Sequence, residues 1–257
     1  MDLLFKLILV IKTIENFPTA ILDKLKFLHG EITYRIRGSK ILFIARAGTE
    51  DIAEIAVVAS GYEYKMDSIN LPSKPTIIDL GGHIGTFSVH TARLLKDKCK
   101  IYAFEPDEVN YDIFNKNIKL NKIKSITLKN IAISDYVGKG YLKKENMNTD
   151  AYRLDSTRGK TPNCTIGTLA RAMQENKIKK IDLLKMDIEG GEYKIFMHKP
   201  SLNLILKNVH YIFMEYHDVN KKYNYSLIKK IIDKNFSIVH QRRNILTLEN
   251  LRWQINK

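Results

Sequence analysis

Residues 76–87 read Thr76-Ile77-Ile78-Asp79-Leu80-Gly81-Gly82-His83-Ile84-Gly85-Thr86-Phe87, and this stretch decides the fold. Residues 76–80 form a short apolar run of the kind buried in a parallel sheet. Gly81 and Gly82 then supply a turn, and Phe87, Leu94 and Leu95 recur at the spacing of one helix face. A strand that turns through glycines into a helix lets the backbone approach a ligand and presents N–H groups to it. Ligands of open parallel sheets sit beyond the carboxyl ends of the strands, so this loop is the first candidate site. Asp79 can hold the loop or a ligand amine.

The loop rejects two common nucleotide signatures. Counting from Gly81, the dinucleotide fingerprint needs glycine where His83 and Thr86 stand, and no Gly-Lys-Ser/Thr follows for a P-loop. What remains is Asp-x-Gly-x-x-x-Gly, carried by Asp79, Gly81 and Gly85. The next strand, 101–104, runs into Glu105, about 20 residues on, the place for a carboxylate that accepts both ribose hydroxyls. Together with a terminal hairpin, these features predict an adenosyl cofactor without a diphosphate.

Strand and helix alternate from there. Val109, Ile113 and Phe114 begin a helix, 125–133 reads as a third strand, 181–186 as a fourth and 209–214 as a fifth. Leu227, Ile228, Ile231 and Ile232 give another helix face. Residues 236–240 and 245–248 flank Gln241-Arg242-Arg243-Asn244 as a hairpin. Upstream, 3–28 reads as helix, with Pro18 breaking it or starting a second one. Residues 31–37 and 40–45 alternate like strands around a two-residue turn at Gly38-Ser39, and 49–59 is helical. Leu71-Pro72-Ser73-Lys74-Pro75 marks a boundary, because each proline pushes its predecessor out of helix. The expected organisation is an N-terminal cap of helices and a short hairpin, residues 1–74, and an α/β core, residues 75–257. That core is mostly parallel and ends in an antiparallel hairpin.

Composition narrows the class. With 257 residues, 44% hydrophobic and 27% charged, wholesale disorder is excluded. Lys plus Arg is 42 against 28 Asp plus Glu, giving +14. Such an excess suits a nucleic acid, an anionic membrane or an acidic substrate, and also a Lys- and Ile-rich composition set by an AT-rich genome. Cys99 and Cys164 form no Cys-x-x-Cys pair, which argues against a disulfide framework or a zinc site and for free thiols. The apolar run 7–11 is bracketed by Lys6 and Lys12 and is too short to span a bilayer. A packed helix, or a basic amphipathic helix touching a membrane surface, fits it. The expected location is cytoplasmic, with peripheral membrane contact open.

Five segments resemble one family. They are 77–88 (IIDLGGHIGTFS), 103–121 (AFEPDEVNYDIFNKNIKLN), 130–138 (NIAISDYVG), 181–196 (IDLLKMDIEGGEYKIF) and, upstream, 45–51 (ARAGTED). They are similar to the FkbM family of class I S-adenosylmethionine-dependent methyltransferases over roughly residues 46–217. The segment around Lys185 to Glu192 is the family-specific one. The resemblance implies a Rossmann-like class I methyltransferase sheet of seven strands and S-adenosylmethionine as cofactor. It puts Gly81, Gly82 and Gly85 under the methionine and ribose, with His83 where many relatives carry Asn. Glu105 would bind the ribose hydroxyls, Pro106 and Asp107 the adenine edge, and Asn130 and Ala132 would lie by the adenine. Asp187 and Glu189 would lie near the methionine amine and methyl group, Glu215 and His217 on the acceptor side.

The implied activity is O-methylation of a hydroxyl on a sugar, glycan or small natural product, including anionic or lipid-linked acceptors. A hydroxyl must lose its proton by the transition state, which calls for a base within hydrogen-bond reach. His217, Asp187, Glu189 and Glu192 are the candidates, His217 because its ordinary pKa near 6.5 suits neutral pH. A divalent cation gathered by Asp187, Glu189 and His217 is an alternative that spacing cannot establish, and no metal is expected. Glu192 and Glu215 can also simply pair with nearby lysines. Lys143, Lys144, Arg153, Arg158 and Lys160 fall in a polar stretch, 143–163, read as a solvated loop or a lid over an anionic substrate. Acceptor choice is expected to reside in that stretch and the cap. His90 reads as structural, and Trp253 as a packing residue or a sugar platform. Nucleic acid is not expected as partner. The segment 186–192 lacks the Asn/Asp-Pro-Pro-aromatic of exocyclic-amine methylation, and no cysteine stands there for carbon-5 chemistry. RNA ribose methylation and a non-catalytic S-adenosylmethionine-binding module remain the alternatives.

Overall fold

Two helices, a hairpin and a third helix come first in this computed structural model, which describes residues 3–144, 152–155, 161–218 and 224–254. They are α1 (Leu3–Thr13), α2 (Phe17–Lys24), β1 (Glu31–Arg35), β2 (Leu42–Arg46) and α3 (Asp51–Ala59). Pro18 does start a second helix, in the first turn of α2, where its missing N–H costs nothing. The β1–β2 turn is wider than the expected two residues. Ile36 N–H donates to Ile41 O, leaving residues 37–40 in the turn. Ser39 explains this, since its Oγ donates to Ile36 O and accepts from Ile41 N–H across the loop.

After a 3₁₀ turn at Met66–Ser68 the chain enters β3 (Thr76–Leu80), α4 (Thr86–Leu94), β4 (Lys100–Phe104), α5 (Glu108–Leu120) and β5 (Ile126–Lys129). There follow β6 (Ala132–Ser134), β7 (Gly138–Lys144), β8 (Tyr152–Asp155), β9 (Cys164–Thr168) and α6 (Leu169–Glu175). The last part is β10 (Ile181–Met186), α7 (Glu192–Met197), α8 (Lys199–Asn208), β11 (Val209–Glu215), α9 (Tyr225–Asn235), β12 (Phe236–Arg242), β13 (Ile245–Asn250) and α10 (Leu251–Gln254).

Seven strands form one sheet in the order β12-β13-β11-β10-β3-β4-β5. The five from β11 to β5 are parallel, and β13 and β12 close the edge antiparallel, with Arg243-Asn244 as the two-residue turn. Order and directions are those of the seven-stranded, mostly parallel, Rossmann-like sheet expected from the sequence. Leaving β3 for β4, and later returning on its other side as β10, the chain creates a switch point at the carboxyl end of β3. Strand alternation divides the core between two faces. Ile77, Leu183 and Phe213 join Phe87, Phe114 and the cap residues Ile14, Tyr34, Phe43 and Ile55 on one side. Ile78, Leu184 and Met214 join Phe196, Ile205 and Ile228 on the other. Each fully buried Ile or Phe there is worth about 1.5–3 kcal/mol.

The cap is fastened through two asparagines. On α5, Asn117 accepts from Ile44 N–H and donates to Ile44 O, and Asn121 does the same for Leu42. Four residues of helix rise about 6 Å and two of strand about 6.6 Å, so an i, i+4 pair matches the i, i+2 groups of a strand edge. Asn117 Nδ2 also donates to Ile84 O in the glycine loop.

Several expectations need correction. The third strand, 125–133, is two. β5 ends at Lys129, and Asn130 donates to Glu105 O and Pro106 O, turning the chain away. β6 then enters a second sheet of order β6-β9-β7-β8. The stretch 143–163 is therefore not simply a loop, because it holds the end of β7 and all of β8, while Arg158 and Lys160 lie outside the described residues. Leu94 and Val109 are exposed rather than core-facing. On α4 burial runs from Thr86 to Ala92, and the last two residues, Arg93 and Leu94, stand in solvent.

Candidate functional site

The site forms where the loops after β3, β4, β10 and β11 meet. Gly81 N–H and Gly82 N–H both donate to Phe104 O, folding the glycine loop back over the end of β4. Gly81 has φ +76°, and a Cβ there would stand 1.9 Å from Asp187 O. A Cβ at Gly82 or Gly85 would enter the Phe114 ring. The glycines are thus required by the crossing of two loops and by an aromatic floor.

Glu105 is buried at the β4 end. Its Oε2 accepts from His83 N–H at 2.7 Å and its Oε1 from Asp107 N–H at 2.9 Å. Burial pushes its pKa up to about 7 against those two bonds. A carboxylate offers about four lone-pair sites, so two remain for a diol. Pro106 and Asp107 follow it, half-buried, with Asp107 Oδ1 accepting from Asn110 N–H to cap α5. Ala132 is buried on β6. The Asn130 amide is engaged with the backbone of Glu105 and Pro106, as described above.

Asp79 faces α4 and β10 rather than the open site. It is fully buried, accepts from Ser88 Oγ at 2.6 Å and lies 3.4 Å from Lys185 Nζ. Lys185, buried inside β10, also donates to Gly81 O at 2.6 Å and stands 3.7 Å from Asp187. Burial would lower the lysine's pKa, but Asp79 and Asp187 hold it well above its ordinary value. A lysine near the end of a buried central strand was a readable signal for this role.

His83 points its ring away from the glycine loop, toward the cap. It has φ +50°, and its ring touches Asp51, Glu54 and Arg46 Nη2. Burial opposes its charge, but Glu54 and Asp51 raise its pKa to about 9. Arg46 binds Asp51 through two nitrogens, so the end of β2, the start of α3 and the glycine loop share one ionic knot.

The acidic residues expected near the methyl group do converge. His217 Nε2 lies 3.5 Å from Glu189 Oε2, 3.7 Å from Glu215 Oε1 and 3.9 Å from Asp187 Oδ1, and its Nδ1 lies 3.5 Å from Glu192 Oε1. Burial would depress the imidazole's pKa, but Glu192, Asp187 and Glu189 raise it to about 10. The ordinary pKa that recommended His217 as base is therefore not the one it has here. Burial and then Asp187 push Glu215 up to about 7. Among the described residues no lysine pairs with Glu192. Its two oxygens accept from Ile188 N–H and Gly190 N–H, fixing the loop that carries Asp187 and Glu189. Glu215 accepts from Asn244 Nδ2 instead.

Two residues of the cap enter this cluster without any local sequence signal. Tyr64 OH donates to Asp187 Oδ2 at 3.2 Å, and Glu63 has its pKa pushed to about 9 by burial and then Glu215 and Asp187. Asp187, Glu189 and His217 each bring a ligand atom within 4.8 Å of the others and could hold a divalent cation. The same surplus of carboxylate suits any cationic group. Trp253 belongs elsewhere, stacked on His210 at the start of β11, the end of that strand opposite to His217.

The chain is similar to known proteins over its α/β core. A family model described as the FkbM domain of methyltransferases matches residues 79–240. Methyltransferase sdnD of Sordaria araneosa is 30% identical over 161 residues, 50% of this chain and 62% of that protein. Methyltransferase 1 of Beauveria bassiana (strain ARSEF 2860) is 23% identical over 150 residues, 50% of this chain and 60% of that one. The alignments thus take in about three fifths of each relative. The crystal structure of methyltransferase FkbM from Methylobacillus flagellatus KT superposes with a TM-score of 0.49 at 13% identity, over 77% of this chain and 54% of that one. The cofactor of such a domain is S-adenosylmethionine, and the residues present fit it. Glu105 keeps acceptor capacity for a ribose diol, and the Asp187–Glu189 cluster offers negative charge to a sulfonium and an amine.

Proposed function

This chain belongs to the FkbM methyltransferase family, and from that premise we propose that it methylates a hydroxyl oxygen on a sugar, a glycan or a small natural product. The observation that carries the reading is His217 set among carboxylates at the ends of β10 and β11. A hydroxyl must lose its proton by the transition state, and a histidine held at the acceptor side is a group that can take it.

S-adenosylmethionine, when bound, supplies the methyl carbon and a thioether leaving group. The protein's part is to place the acceptor oxygen and to take its proton. His217 is the base in this reading and Glu192 its positioning residue, buried against Nδ1 while Nε2 faces the acceptor side. In the structure the surrounding carboxylates keep the imidazole protonated. Asp187 and Glu189 are also the groups that would face the cofactor's cationic end. With their charge engaged there, less of it bears on His217, which returns toward its ordinary pKa and can accept a proton. Asp79, Lys185 and Tyr64 keep Asp187 in place. Glu105 binds the ribose, with Gly81, Gly82 and Gly85 leaving room beneath.

The test is transfer of a labelled methyl group into an extract fractionated into glycans, lipids, RNA and small molecules. Label in a carbohydrate or small-molecule ether supports the reading, and label confined to RNA or protein refutes the acceptor class. Calorimetry with S-adenosylmethionine checks the cofactor separately.

A further inference from the structure

We propose that the outer face of α1 and α2 docks onto an anionic lipid bilayer, a partner that the methyl-transfer reading neither requires nor supplies. Leu3, Leu4, Leu7, Ile8 and Ile11 form one exposed stripe along α1, while Leu9, on the opposite side, and Val10, at the edge of the stripe, are buried. Leu3 is 74% exposed and Leu4 68%, and just beyond α2 Phe27 is 70% exposed. A row of large apolar side chains left in water on two consecutive helices is unusual for a protein surface and marks an interaction face.

Charge identifies the partner. Between residues 3 and 30 the acidic residues are Glu15 and Asp23. Asp23 is buried, accepting from Tyr34 OH and Gly48 N–H, and Glu15 lies 4.0 Å from Arg35. Lys12 and Lys26 are exposed beside the apolar residues. Arg37 donates to Ile11 O, Lys12 O and Ile14 O, adding a cation at the end of α1. An apolar stripe with a basic border is the pattern of a helix lying in a headgroup layer. A second copy of this chain fits worse, because a two-fold contact sets lysine against lysine on a protein of net charge +14. No helix among the described residues is long and apolar enough to cross a membrane, so the helices lie in the interface plane.

The experiment is co-sedimentation of the full chain with vesicles of phosphatidylcholine, alone or mixed with phosphatidylglycerol. The protein should pellet with the mixed vesicles, less so in high salt, and remain soluble with phosphatidylcholine alone. Lys12→Gln and Lys26→Gln should each weaken binding about fivefold. The double variant Leu4→Glu/Ile8→Glu should abolish it while leaving circular dichroism and S-adenosylmethionine affinity unchanged, since both side chains are exposed. Wild-type protein that stays in the supernatant with phosphatidylglycerol vesicles overturns the proposal. So does a dimer, seen by light scattering, that the double variant dissociates. Loss of cofactor binding in every protein would count against the methyltransferase reading and leave this one standing.

Discussion

Replacing Gly81 with alanine tests the loop crossing at the heart of the site. Gly81 has φ +76° and Gly61 has φ +67°, so alanine at either position meets the left-handed penalty, about 1–2 kcal/mol. The two differ in space. A Cβ at Gly61 meets nothing within 4 Å, whereas at Gly81 it lies 1.9 Å from Asp187 O. Real contacts rarely fall under 3.0 Å, so that carbonyl must retreat by more than an ångström. Asp187 N–H is tied to Leu80 O at 3.2 Å, and Met186 pairs with Leu80, so the retreat loosens the β3–β10 junction. Overpacking of this kind adds about 1–3 kcal/mol. Gly81→Ala should therefore lose about 2–5 kcal/mol in chemical denaturation, against about 1–2 for Gly61→Ala. A misplacement of about 1 Å in the loop carrying Asp187 should also lower turnover on the order of 100-fold. Equal stability losses in the two variants, with S-adenosylmethionine affinity and turnover intact at Gly81→Ala, would refute the account of the crossing.

Three further outcomes follow from the same geometry. Glu105→Ala should lower S-adenosylmethionine affinity in calorimetry by roughly 10- to 100-fold, since hydrogen bonds to a charged acceptor are worth about 1.5–3 kcal/mol. Lys185→Met leaves Asp79 and Asp187 without their shared cation and should cost about 3–5 kcal/mol in denaturant unfolding, much of it recovered in a Lys185→Met/Asp79→Asn double variant. The pKa of Glu215 is raised from 4.5 to about 7, so its contribution to stability is whole below 4.5 and lost as pH rises through about 7. Glu215→Gln should accordingly stabilise the cofactor-free protein above neutral pH by up to roughly 3 kcal/mol and give no such gain near pH 4.5, read from unfolding midpoints across that range.

The sequence was most informative where physics is local. Residues 76–80, 181–186 and the terminal hairpin were legible because a buried parallel strand is a short, mostly apolar run and a tight turn needs its own chemistry. β7, β8 and β9 were not, because a short, half-exposed ladder with lysines alternates too weakly to differ from a loop. In the site, the strand-end position of Glu105 followed from the order of strands, and those of Asp187, Glu189 and His217 from the family resemblance. The side-chain partners did not. His83 sits within the glycine loop, yet its ring serves α3, because φ +50° turns it there. Glu63 and Tyr64 reach Asp187 from more than 100 residues away, a proximity set by how the cap seats on the sheet. The character of His217 was the least legible of all. Its pKa depends on Glu192, Asp187 and Glu189, the last two carried by the loop that Glu192 shapes.

The Asn117 and Asn121 pairing has a practical reach for swapping parts between relatives. A helix reads the rim of a strand like a ruler, two marks at a time, and the marks belong to opposite sides of the boundary at residues 71–75. A cap transplanted from another relative brings the strand but leaves the ruler behind. The transferable unit is then the first 70 or so residues together with these two amides. Because one amide also grips Ile84 O, a shift of β2 by a fraction of an ångström is delivered to the glycine loop. Moving β2 and moving the glycine loop are therefore the same manipulation, performed through one side chain.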